Sequence, residues 1–117
     1  MKQEKEFEMR LAAKPFEMIK NGSKTIELRL YDEKRQKIST NDIIVFTNTS
    51  TKERIKTRVI RLHIYESFKE LYEKLPIEKC GYTKDNIRSD SYKDMLEYYP
   101  KEMQSEYKVV GIELERI

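Results

Sequence analysis

The chain has a single cysteine, Cys80, and a single histidine, His63. One cysteine excludes an internal disulfide framework and suits a reducing compartment. One cysteine and one histidine cannot build a Cys₂His₂ or Cys₄ zinc site, so neither a metal nor any other cofactor is expected. A Cys–His nucleophilic pair would need contact between Cys80 and His63, and nothing in the pattern supports it. Tryptophan is absent. No run approaches the ~18 apolar residues of a membrane span. The opening Met1-Lys2-Gln3-Glu4-Lys5-Glu6 is charged, with no apolar core of a signal peptide. A cytoplasmic protein without membrane contact is expected. Charge of one sign is not in excess either: 24 Lys and Arg stand against 21 Asp and Glu, a net of +3. Such a balance does not by itself announce a nucleic-acid binder. There is no repeat, low-complexity tract or linker.

The 117 residues fit one domain with one core, over 1–117. Charged residues make up 38%, which requires a surface of densely mixed sign. Eight tyrosines are present, and a tyrosine packs its ring while offering a hydroxyl. Most are expected in half-buried packing, and some are available to line a groove.

Apolar–polar alternation marks the strands. Phe7–Leu11 opens the series. Pro15 starts a short helix with Phe16, Met18 and Ile19 inward, and Asn21-Gly22 stops it. Lys24–Leu30 forms the second strand. The charged Tyr31–Asn41 stretch reads as a loop or helical turn. Ile43–Asn48 is apolar on both faces at its start, as a central strand is. Asn48–Lys52 has hairpin composition. Ile55–Tyr65 is long enough to bend, with Ile55, Thr57 and Val59 on one face. Ser67 and Glu70 form a capping box for a helix over Phe68–Leu75, which Pro76 ends. Ile77–Tyr82 is a short segment closed by Gly81. A helix over Ser91–Tyr99, with Tyr92, Met95, Leu96 and Tyr99 on one face, ends at Pro100. Tyr107–Ile117 is the last strand. Together these make an α+β domain with a mostly antiparallel, barrel-like sheet, in which pairing of first and last strands would remove exposed edges.

The stretch richest in chemistry is Gly22-Ser23-Lys24-Thr25-Ile26-Glu27-Leu28-Arg29. In a strand, Ile26, Leu28 and Leu30 face a core while Thr25, Glu27 and Arg29 face the other way, with Lys24 at the entrance. Arg29 offers a planar fork for a phosphate or a guanine edge. Lys24 supplies a point charge for phosphate. Glu27 either accepts from a base amino group or pairs with its cationic neighbours. Tyr31 and Tyr65 are candidates for stacking a base. Lys52, Arg54, Lys56 and Arg58 alternate along one strand face, a candidate backbone track. The competing reading of these residues is an ion-paired, solvated sheet face. Cys80 is expected to be buried.

Gly22-x-Lys24-x-x-Glu27-x-Arg29 resembles the GxKxxExR signature of the ASCH family, the domains homologous to part of the activating signal cointegrator. The Pro-Phe-led helix before it, the Asp-Ile-Ile-Val-Phe strand after it and the closing Tyr107–Leu114 strand are similar too, so the resemblance runs from Phe7 to Leu114. It implies a PUA-like β-barrel of about five to six mostly antiparallel strands with short flanking helices, the motif lining a cleft. It also implies RNA or a nucleotide as partner, bound by Lys24, Thr25, Glu27, Arg29, Tyr31 and Arg58. Nothing calls for more than a monomer or weak dimer. Some small bacterial members of the family resemble amidohydrolases of N4-acylated cytidines, and others ribonucleases. In that case Lys24, Glu27 and Glu78 are the catalytic candidates. The hydrolase members carry Thr where this chain has Glu27, which moves the expectation from catalysis toward binding. An interaction module without its own ligand is the third reading.

Overall fold

The computed structural model describes residues 4–117. Half of the charged opening hexapeptide, residues 1–3, therefore lies outside the described residues. Five strands form one curled, half-barrel sheet: β1 (Glu6–Leu11), β2 (Ile26–Leu30), β3 (Ile43–Asn48), β4 (Arg54–Tyr65) and β5 (Val109–Arg116), in the order β1-β3-β4-β5-β2. Three pairings are antiparallel, and β1 runs parallel to β3. The parallel pair is possible because α1 (Ala13–Lys20), β2 and a 3₁₀ turn at Arg35–Lys37 intervene between the two strands. The first and last strands do not pair. β1 and β2 are the sheet's edges, and β5 is enclosed between β4 and β2. The expected edge closure is replaced by side-chain contact across the gap, described below.

β3 is central, flanked by β1 and β4, and is buried on both faces at its start, with Ile44 and Phe46 facing the core inside the curl. β4 bends where its register with β5 shifts between Val59 and Arg61. There Ile55, Thr57 and Val59 turn inward, and the Thr57 hydroxyl donates to the Ile44 carbonyl at 2.8 Å. The hairpin after β3 is tied by Asn48, whose buried Oδ1 accepts from the Ser50 and Thr51 amides. Gly22 sits at φ +88°, a conformation that a residue with a Cβ adopts only at a cost. That geometry turns the chain from α1 into β2.

The core has two parts. Phe16 and Ile19 of α1 fill the inside of the curl against Ile44, Phe46, Val59, Val110 and Ile112. On the other face of β2 and β5, Ile26, Leu28, Leu30 and Val109 are covered by Phe68 and Leu71 of α2 (Phe68–Lys74), with Leu75, Met95 and Tyr99 packed around them. α2 begins at Ser67, whose hydroxyl accepts from the Glu70 amide at 3.2 Å. Ser67→Ala is expected to cost about 1 kcal/mol in urea unfolding. No change in midpoint would mean the cap is dispensable.

Residues 91–97 adopt a 3₁₀ conformation instead of an α-helix, so Met95 and Tyr99 join the core while Tyr92 and Leu96 sit half-exposed at its border. A further helix, α3 (Lys101–Tyr107), follows Pro100 where no element was expected. Its anchor is Gln104, which is buried. Gln104 Oε1 accepts from the Phe68 amide at 2.9 Å, and Nε2 donates to the Tyr99 carbonyl at 2.8 Å. No helix among the described residues is long and apolar enough to cross a membrane.

Candidate functional site

A cleft of about 550 Å³ opens beside β2, between the end of β1, the start of α1 and the segment running from α2 to Tyr99. Glu27 lines it. The residue is only 4% exposed, on the strand face opposite Ile26 and Leu28. Its Oε1 accepts from Lys24 Nζ at 2.9 Å and its Oε2 from Arg29 Nε at 2.7 Å. Both cations are themselves largely sequestered, with 11% and 15% of their side-chain surface exposed. The alternation in the sequence thus placed these groups on one face, but that face is neither solvated nor flat. Burial pushes the Glu27 carboxyl up. The Lys24 and Arg29 charges and their hydrogen bonds outweigh it and hold the group below the ordinary glutamate range.

Arg29 reaches further. Its NH2 donates to the Arg10 carbonyl at 2.9 Å, joining edge strand β2 to edge strand β1. Lys24 is set by its own backbone, which donates to the Met18 carbonyl at the end of α1. Its stem runs beside Gly81, where an added Cβ would lie 3.5 Å from Lys24 Cδ. That is an ordinary packing distance, so it is the φ of +106° at Gly81 that favours glycine in the turn bordering Lys24.

The opposite wall is aromatic. Tyr72, Tyr82, Tyr98 and Tyr99 line it together with Met95 and Asp94. Tyr82 donates to Asp94 Oδ2 at 2.9 Å, which leaves Tyr72 to donate to the Tyr82 oxygen at 2.8 Å. Arg88 NH2 holds the other Asp94 oxygen at 2.8 Å. Burial pushes the Tyr82 phenol up to about 12, and the Asp94 hydrogen bond and charge add to the shift, so both rings stay neutral hydrogen-bonding groups. Tyr98 stands apart, 68% exposed and with no hydroxyl partner among the described residues.

Of the residues expected from the sequence, Lys24, Glu27 and Arg29 meet in this cleft. The others lie elsewhere. Thr25 precedes β2, where its amide donates to the Lys79 carbonyl and its carbonyl accepts from Leu114. Tyr31 packs against the core inside the curl. Arg58 pairs with Glu4 at 2.7 Å, and Arg54 pairs with Glu8, so acids beside β1 partly neutralise the cationic stripe. Glu78 is exposed on the 3₁₀ turn Ile77–Cys80 and does not line the cleft. The carboxylate that does, besides Glu27, is Asp94. Asp94 and the tyrosines follow the motif by about forty to seventy residues. The only local hint of them was the high tyrosine content. Cys80 is buried with its thiol pushed up by burial to about 12, which makes it a packing residue. His63 bonds Glu113 at 2.9 Å. Among the described residues no group of three or more His, Cys, Asp or Glu could hold a metal ion.

The ASCH domain family model matches residues 4–117. Among solved structures, the hypothetical protein PH0355 is 38% identical, covers 96% of this chain and 99% of its own, and superposes with a TM-score of 0.81. Protein PF0455 from Pyrococcus furiosus is 35% identical over 96% and 97% of the two chains, with a TM-score of 0.74. The ASCH protein of Zymomonas mobilis shares the fold at 17% identity over 95% and 67%, with a TM-score of 0.64. No curated protein matches the chain. With four motif residues in place, a half-barrel that superposes on these structures and a match spanning all the described residues, the chain belongs to the ASCH domain family.

Proposed function

We propose that the cleft binds a nucleotide unit of RNA or a free nucleotide, with the base against the tyrosine wall and phosphate toward Lys24 and Arg29. The observation that carries this reading is the pairing of an exposed aromatic face, Tyr98, with a buried cationic pair in one cavity. Aromatic faces bind bases with little regard to sequence, and Arg and Lys bind phosphate. Glu27 serves here as the fixed counter-ion that holds the two cations in place. Arg29 spends its Nε on Glu27 and one NH2 hydrogen on Arg10, which leaves its NH1 end uncommitted among the described residues.

The geometry favours binding over amide hydrolysis. A lysine nucleophile must present a free amine, whereas Lys24 Nζ donates to Glu27. A general base works best with a raised pKa, and the two cations hold Glu27 below the ordinary glutamate range, which makes it a weaker base.

Fluorescence anisotropy with labelled single-stranded RNA tests the reading. Affinity is expected in the micromolar range or tighter and to weaken with salt. Lys24→Ala and Arg29→Ala should lose most of it, but both also disturb a buried network. Tyr98→Ala avoids that difficulty because its ring is exposed. It is expected to weaken binding by about 1–3 kcal/mol, roughly 5- to 150-fold. Unchanged affinity in Tyr98→Ala and Arg29→Ala together would sink the assignment.

A further inference from the structure

A second cavity, of about 670 Å³, lies on the far side of Arg29. Arg10 and Arg29 line both cavities, so the two meet at the seam between β1 and β2. The second cavity has no aromatic wall. Its cations are Arg10, Arg29, Lys34, Arg35 and Lys52, and the one carboxylate among its lining residues, Glu8, is already paired with Arg54. Arg35 gives NH1 to Asp32 at 2.9 Å, while its Nε is buried without a hydrogen-bond partner in the described structure. An oxygen acceptor that drew this fork around would recover a bond the free protein lacks. Lys34 and Lys52 are exposed at the rim.

We infer that this groove is a phosphodiester subsite, and that the ligand is a single strand crossing Arg29. One base stacks in the tyrosine cleft and neighbouring phosphates lie among Lys34, Arg35 and Lys52. The inference rests on the nucleotide reading of the first cleft and adds to it a second subsite and a ligand class. A mononucleotide needs only the first cavity. The second, rich in cations and poor in apolar surface for a base, suits a charged backbone that continues outward.

The test compares a labelled single-stranded RNA decamer of mixed sequence with a 5′-mononucleotide, in the parent chain and in the Lys34→Gln/Lys52→Gln double variant. Both substituted residues are exposed, so the melting temperature serves as a folding control. In the variant, decamer affinity is expected to fall about tenfold at low salt. The slope of log affinity against log salt should become shallower by about 1.4, from two contacts at about 0.7 each. Mononucleotide affinity should stay unchanged. An unchanged decamer slope, an equal loss for the mononucleotide, or a parent chain that binds the decamer no more tightly than the mononucleotide overturns the groove while leaving the cleft standing. A parent chain that binds neither probe overturns both.

Discussion

Glu27→Ala should destabilise the fold by about 3–5 kcal/mol, because it strands two largely buried cations without their shared counter-charge. Such a loss is a large part of the stability of a domain this size. Glu27→Gln keeps the shape but turns an amide N–H₂ toward one cation, so it should recover only part of the loss. Acid provides an independent check. The folded-state value for Glu27 lies below the ordinary 4.5. Between the two values the unfolded chain binds the proton and the folded chain does not, so folding weakens as pH falls. The network's contribution is therefore complete above about pH 4.5 and is lost as the pH drops through the folded value. Urea unfolding from pH 7 down to 3 should show this decline in the parent chain and a shallower one in Glu27→Gln. A cost below about 1 kcal/mol for Glu27→Ala would mean the three charges are held no better than a surface pair.

Phe68→Ala should cost a similar amount, about 3–5 kcal/mol, for a different reason. The ring is 1% exposed, opens α2 and stacks on Tyr99 at 5.8 Å between centroids. Its removal leaves a void between β2, α2 and the 3₁₀ segment that carries the tyrosine wall. Gln104 fixes the Phe68 amide in place, so the helix start cannot easily shift inward to fill the space. Denaturant unfolding against Tyr98→Ala, expected within about 0.5 kcal/mol of the parent chain, gives the contrast. A loss for Phe68→Ala under about 1.5 kcal/mol would show that this second core repacks freely.

Those two residues also mark the limits of reading the chain directly. Local periodicity was enough for the strands and for the Ser67 cap, because each is decided by neighbours within a few residues. The bend in β4 was legible only from the strand's length, and its position is set by pairing with β5. The same alternation put Glu27 and Arg29 on one face and identified the motif. It did not reveal that Glu27 is buried, since that depends on α1 and the segment after α2 closing over β2. The helix Lys101–Tyr107 escaped notice because its sequence is mostly polar and it is held by one buried glutamine whose partners lie elsewhere in the chain. Glu78 and Asp94 differ in the same way. Both are carboxylates in polar surroundings, and only the path of the chain from Gly81 to Tyr99 decides that Asp94 borders the cleft. Strand order was equally hidden, because parallel pairing of β1 with β3 leaves no signature in either strand alone.

The bond from Arg29 to the Arg10 carbonyl has a mechanical meaning. β1 and β2 share no backbone ladder, so this guanidinium acts as a latch across the one open seam of the sheet. The latch is also a wall of both cavities. Any anion that competes for the fork trades the seam's closure for its own binding, and any anion that accepts from the uncommitted end tightens it. Occupancy would thereby be linked to how freely the two edges breathe, and an anion bound there would be felt first along β1 and β2 and at the Thr47–Lys52 end of the β3–β4 hairpin, which lines the second cavity.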